Sequence, residues 1–289
     1  MSRSPGLWHG CYPGGAGVNY TPRLPKHNYN VSPVSPLREL LVLLGGLLAI
    51  IVVAYILLGY GADILAAHIS PESEQKLASI LPYRFDTNKK GDAKEALLQR
   101  LIDKIKKKNC AALPYPVTVH VVESDIVNAM ALPGGRIVVF SGLLDRMQSE
   151  NELVFVLGHE MGHFKNRDHL RSLGRGLVFA FISTLIDSSN GSVAHLIGKS
   201  VQVTESGFSR EQESAADAFA LQTLNCVYGH VGGSTDFFKH MPKKLDPGHI
   251  GHYFSSHPEN EKRIRALTAL SREKGYSTGP KTALILPKK

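Results

Sequence analysis

Hydrophobic and polar positions divide this chain into two regimes. Between Glu39 and Asp63 no residue is charged, and the run LLVLLGGLLAIIVVAYILLGYGA is apolar almost without interruption. A helix rising about 1.5 Å per residue crosses roughly 30 Å of hydrocarbon over that length, so residues 37–62 read as a transmembrane helix. Beyond it the pattern becomes that of a folded domain. From Asp92 to Lys108, Ala93, Ala96, Leu97, Leu101 and Ile105 recur at threes and fours, as on a helix with one apolar face. Val117–Val122 and Arg136–Phe140 are β-branched. With the short extended run Asn128–Leu132 and the turn Pro133-Gly134-Gly135 they predict a small sheet. Ser149-Glu150-Asn151-Glu152 has the form of a capping box and opens an apolar helix through Leu153-Val154-Phe155-Val156-Leu157. Gly174 and Gly176 are expected to interrupt that helix before the apolar stretch Leu177–Ile186. This stretch is too short to span a bilayer and reads as a core helix or a membrane-dipping element. A loop at Ser188–Ser192 and a helix over Ser209–Leu224 follow. His230–Ser256 reads as irregular, and Pro258–Lys274 as a last helix with an exposed basic face.

The fold class expected is therefore α+β, mainly helical with a small β-sheet, preceded by one transmembrane helix. The organisation is a disordered N-terminal segment (1–36), the transmembrane helix (37–62), a juxtamembrane connector (63–91), a folded domain (92–275) and a loose C-terminal tail (276–289). The first segment is dense in proline and glycine, which bury too little apolar surface to offset the entropy of ordering.

Composition adds a boundary and an orientation. The chain has 289 residues and a formal net charge of +8. No module interleaving aromatic and basic residues is visible, which argues against nucleic acid as a partner and leaves the lipid bilayer as the expected one. Arg3, Arg23, Lys26 and Arg38 precede the span, whereas Asp63, Glu72 and Glu74 follow it. The positive-inside rule then puts the N-terminus in the cytoplasm and the folded domain on the extracytoplasmic side, in a bacterium the periplasmic face of the inner membrane. Cys110 and Cys226 share that oxidising side and either pair or stand as two buried thiols.

Chemistry enters at His159-Glu160-Met161-Gly162-His163. Residues four apart on a helix share one face, so both imidazoles aim at one spot, where a zinc ion can be held by two nitrogens at about 2.0–2.1 Å. Glu160 lies about 100° further round. It can take a proton from a water at that spot without ligating the metal itself. The surrounding run is apolar, so the histidines emerge from a buried helix and need polar partners. A catalytic zinc site takes three protein ligands and keeps a position for water. Two third ligands compete. His169 completes the H-E-x-x-H-x-x-G-x-x-H spacing of metzincins, with Asn166 in place of glycine. Glu213 lies one helical turn before Asp217, so one can ligate while the other holds the far nitrogen of a ligand histidine. Ser214, Ala215 and Ala216 are small enough for that helix to pack closely on the first.

Taken together, H-E-x-x-H, then Ser209-Arg210-x-x-Glu213-x-x-x-Asp217, then Ser256-His257-Pro258, resemble the M48 zinc metallopeptidases. Asn128-Ala129-Met130-Ala131 before Pro133-Gly134-Gly135 is similar to the family's edge-strand segment. The resemblance covers roughly residues 90–270. It implies a zincin-type peptidase domain with one Zn2+ per chain, His159, His163 and Glu213 as ligands, Glu160 as general base and Asp217 behind a ligand histidine. It also implies a role for His257 in steadying the oxyanion or regulating access, and leaves His169 an ordinary helical residue. Substrate would lie extended along Asn128, Ala129 and Met130, paired backbone to backbone, which suits unfolded or misassembled membrane and envelope polypeptides. The function expected is a membrane-anchored zinc endopeptidase of envelope protein quality control. The alternatives are a zinc-binding chaperone or assembly factor with latent proteolysis, and a metzincin-type protease using His169. Arg263 could also steady an oxyanion, but beside Lys262 and Arg265 it reads as an exposed helix cation.

Overall fold

The computed structural model describes residues 35–80, 93–187, 208–240, 257 and 260–287. The expectations for the segment 1–34, the connector from residue 81 to 91, the loop from Ser188 and residues 241–256 fall outside these.

The apolar run forms one helix, α1 (Pro36–His68). Its central window has a mean hydropathy of 3.0 and none of it is buried in protein. The helix runs six residues past the expected end of the span. A short helix, α2 (Pro71–Ile80), follows.

The domain begins with α3 (Ala93–Lys107), whose Leu98, Leu101, Ile102 and Ile105 are buried. Strands β1 (Thr118–Val122), β2 (Ala129–Leu132) and β3 (Arg136–Phe140) form a three-stranded sheet in the order β1-β3-β2. β1 runs parallel to β3, with Val119 beside Ile137 and Val121 beside Val139. β2 is antiparallel to β3, with Ala129 opposite Val139. The β2–β3 turn places Gly134 at φ +85°, a left-handed conformation that an L side chain rarely adopts. β2 is an edge of this sheet, and it packs against the helix that carries the histidines.

A single turn, α4 (Ser141–Leu144), leads to α5 (Glu150–Asn166) and α6 (Asp168–Asp187). Ser149 caps α5 by accepting from the Glu152 N–H. The helix breaks at Arg167, which sits at φ 59° with its N–H directed to the His163 and Phe164 carbonyls. Gly174 and Gly176, expected to be the break, lie inside a continuous α6. The left-handed residue alone ends the hydrogen-bond ladder here, as helix C-caps commonly do.

The helices α7 (Arg210–Tyr228), α8 (Asp236–His240) and α9 (Asn260–Glu273) complete the described elements. One core joins α3, the sheet, α5, α7 and the buried face of α9, with Phe155, Phe237, Leu153 and Leu157 among its most enclosed side chains. A disulfide links Cys110, after α3, to Cys226 on α7, with 5.6 Å between the Cα atoms.

The C-terminal residues, expected to be loose, are strapped to the start of α5. The Glu150 N–H donates to the Thr282 carbonyl at 3.0 Å, the Thr282 N–H to Asn151 Oδ1 at 2.8 Å, and Ser149 bridges Ala283. The first turn of a helix has N–H groups with no partner inside the helix, and the tail supplies an acceptor for one of them.

Candidate metal centre

The site is built where α5 and α7 touch. Gly158 and Gly162 face α7: a Cβ on Gly162 would stand 2.8 Å from the Ala216 Cα, and one on Gly158 would stand 3.2 Å from the Ala220 Cα. Close packing thus rests on these two glycines with Ala216 and Ala220. Ser214 and Ala215 are exposed and take no part in it. The approach brings Glu213 on α7 against the inward face of α5.

His159 and His163 are buried and their Nε2 atoms lie 3.1 Å apart. The opposite nitrogens are both committed. His159 Nδ1 donates to Asp217 at 3.0 Å and His163 Nδ1 donates to Asp168 at 3.0 Å. A neutral imidazole that donates through Nδ1 presents a lone pair on Nε2. Two lone pairs therefore face one point. Glu213 stands 3.5 Å from both Nε2 atoms. His257 brings its Nδ1 to 2.8 Å from Glu213 Oε1 and 3.2 Å from His159 Nε2. The ligating atoms of these four residues lie within 4.8 Å of one another. A tetrahedral set with bonds near 2.0–2.1 Å has edges of about 3.3 Å, so the spacing fits a small divalent cation.

The carboxylates around the site make it one that attracts positive charge. Burial alone would raise the Glu213 carboxyl. The charges of His257 and His159 and hydrogen bonds from His163 and His257 outweigh it and hold the group far below the ordinary carboxylate range. Asp217 is likewise held down against burial, chiefly by Arg263. Burial disfavours the proton on His159 and lowers it. On His163 burial is outweighed by Asp168, Glu213 and the nearby charge of Glu160, which push it up to about 9. Glu160 is completely buried, and neither of its oxygens has a hydrogen-bond partner among the described residues; the nearest histidine nitrogen, His257 Nε2, is 3.9 Å away. A buried carboxylate left so is costly unless it awaits something that binds.

His169 is not part of this group. The left-handed turn at Arg167 redirects the chain, so His169 points towards α2 and its Nε2 donates to Glu74 at 2.9 Å. The metzincin arrangement is thereby set aside. Arg263 is a second correction. It is 6% exposed rather than a surface cation. Its Nε and Nη2 grip both oxygens of Asp217 at 2.8 and 2.6 Å, its Nη1 lies 3.0 Å from Glu213, and its guanidinium stacks 4.6 Å over Phe238. The signal for this was present: Arg263, Leu267 and Leu270 share one helical face. Two other partners went unread in the sequence. Asp168 orients His163 and is itself held by Gln212 at 2.9 Å, and Phe208 stacks on the His163 ring at 3.9 Å.

The segment expected to take substrate lies in and before β2. Ala129 and Asn128 are buried, Met130 is half-buried, and the Asn128 carbonyl accepts from the Phe140 N–H. β2 thus lends one edge to β3 and runs along α5.

Comparison with known proteins accords with this geometry. Metalloendopeptidase OMA1, mitochondrial, of Danio rerio is 31% identical over 169 residues, covering 54% of this chain and 35% of that protein. Mitochondrial metalloendopeptidase OMA1 of Arabidopsis thaliana is 33% identical over 150 residues, 52% of this chain and 30% of its own length. Metalloprotease YcaL of Escherichia coli (strain K12) is 30% identical over 157 residues, 53% of this chain and 61% of its own length. The chain therefore spans about a third of the OMA1 relatives and three fifths of YcaL. The family model of Peptidase family M48 matches residues 92–271, from the start of α3 into α9. The chain belongs to Peptidase family M48, a metallopeptidase family.

Proposed function

We propose that this chain is a membrane-anchored zinc endopeptidase. The observation that carries the reading is Glu160, buried and without a hydrogen-bond partner among the described residues, beside three convergent donors, His159, His163 and Glu213. A zinc ion held by those donors supplies a Lewis acid and an acidified water. The chain's own residues do the rest. Asp217 and Asp168 fix the two imidazoles in the ligating tautomer. Arg263 keeps Asp217 and Glu213 charged and in place. Glu160 takes the proton of the attacking water and delivers it to the departing amine. A substrate strand added along β2, at Asn128, Ala129 and Met130, would run antiparallel or parallel to the sheet and past α5, read mainly through its backbone. Unfolded or misassembled envelope polypeptides fit such a mode.

His257 stands at the fourth corner of the donor set in this conformation. A site with four protein donors is closed, whereas a catalytic one keeps a place for water. With His257 counted, the donor set has no corner left for water, which supports a latent resting state. The Cys110–Cys226 disulfide supports an oxidising compartment for the domain, in line with the flanking charges of α1.

The test is Glu160→Gln in the full chain, with zinc content and cleavage of an unfolded protein measured together. Zinc at one equivalent with cleavage reduced at least about a hundredfold is expected from loss of the base. Undiminished cleavage would refute the reading.

A further inference from the structure

The second half of α6 has no role in the metal centre, yet its surface is unusual for a domain of this kind. Leu177, Phe179 and Phe181 are 38%, 47% and 51% exposed. Around a helix at about 100° per residue these three positions cover two opposite sides. From Gly176 to Ile186 no residue is charged. The only polar side chains in that run, Ser183 and Thr184, return their hydroxyls to the helix itself, donating to the carbonyls of Phe179 at 2.8 Å and Phe181 at 2.7 Å. A helix whose hydroxyls are satisfied internally asks nothing of water, which is how serine and threonine are accommodated in lipid.

The position of this segment says what covers it. α6 meets α1 at Asp63, the first charge of that helix after Glu39. Gly174 lies so near Ala62 that a Cβ would stand 3.0 Å from the alanine Cβ, and Arg175 pairs with Asp63. About two turns before, Arg167 donates to the Ala66 and Ile69 carbonyls at the end of α1. α6 therefore leaves the ion pair beside the exit of α1 and is without charge from Gly176 to Ile186, as α1 is between Glu39 and Asp63.

We propose that the segment Leu177–Ile186 of α6 enters the leaflet on the domain's side of the bilayer, beside α1, so that the peptidase domain is held to the membrane at two points. Eleven residues from Gly176 to Ile186 reach at most about 16 Å, half of a roughly 30 Å hydrocarbon core. The contact is a monotopic insertion rather than a second crossing. Asp63 and Arg175 would then pair at the interface, and α5 ends at Asn166, before the turn that opens α6. The proposal rests on the reading of α1 as a membrane span, and the test separates the two.

Trp8 is the only tryptophan of the chain. In a Trp8→Phe background, the full-length protein carries one reporter, Phe181→Trp in α6 or Ile56→Trp in α1, and is reconstituted into phosphatidylcholine vesicles. Emission is compared with vesicles whose acyl chains are brominated near the headgroup or near the tail end, and with added iodide. The expected result is strong quenching of both reporters by brominated lipid, little by iodide, and greater loss at position 181 from the shallow bromines. Quenching at 56 but not at 181 overturns this inference and spares the span. Quenching at neither position overturns both. A reporter at 181 shielded from both iodide and bromine means that protein, not lipid, covers the segment, and likewise overturns the inference.

Discussion

Asp168 and Asp217 perform one task for two different histidines: each accepts from Nδ1 and leaves Nε2 turned to the shared point between the rings. Removing the charge while keeping the shape isolates that task. Asp168→Asn is expected to weaken zinc binding about 10–100-fold, measured by competition with a chromophoric chelator, while far-ultraviolet circular dichroism stays unchanged. An unaltered affinity would mean that Gln212 and the stacked Phe208 orient His163 without it. At this scale the pairings within one helix are legible in the sequence because their geometry is local: a spacing of four for His159 and His163, and one turn for Glu213 and Asp217. Asp168 and Arg263 were not, since their roles depend on where α6 turns after Arg167 and on which face α9 presents to α7. His169 misled for the same reason. Its spacing is that of a ligand, but the chain bends before reaching it.

Among the elements, the α5–α7 contact decides whether the donors meet. Gly162 faces Ala216 so closely that a methyl group must push the helices apart. Gly162→Ala is expected to cost about 1–3 kcal/mol of stability through overpacking, read as a lower urea midpoint, and to weaken zinc retention because Glu213 withdraws with α7. The same substitution at Gly229, a helix C-cap at φ 77° with nothing within 4 Å of a Cβ, would strain the backbone without touching zinc affinity. Helix and strand periods were readable in α3, β1, β3 and α5, where one face is buried and the other is not. The end of α5 is not legible from its glycines: Arg167, an arginine in the left-handed region whose side chain bonds the α1 exit, stands where the helix stops. The tail was misread because its partners lie about 130 residues away in sequence, at Asn151, and no local pattern announces them.

The molecule as a whole is tied together by long-range links that set its working conditions. The disulfide closes a separation of 116 residues that contains the sheet, α5 and Glu213. Replacing Cys110 and Cys226 by serine is expected to cost about 2–5 kcal/mol, checked by thermal unfolding with and without reductant; reductant should lower the midpoint of the parent chain and leave the variant's unmoved. Acid acts at another joint. Glu74 is fully buried, and although burial would raise its carboxyl, hydrogen bonds from His169 and the Gly134 N–H, with the charges of His169 and Arg167, lower it. A carboxyl lower in the fold than in the unfolded chain lends stability that is fully present above its ordinary range and vanishes as pH falls through the folded value. Glu74→Gln should therefore flatten the acid limb of a stability–pH curve. Arg167, finally, grips the Ile69 carbonyl with its side chain while its backbone terminates the helix that carries both histidines. With α1 as the membrane span proposed above, that rivet would leave the domain almost no leash, and scissile bonds would be selected by their altitude above the membrane before their sequence is consulted.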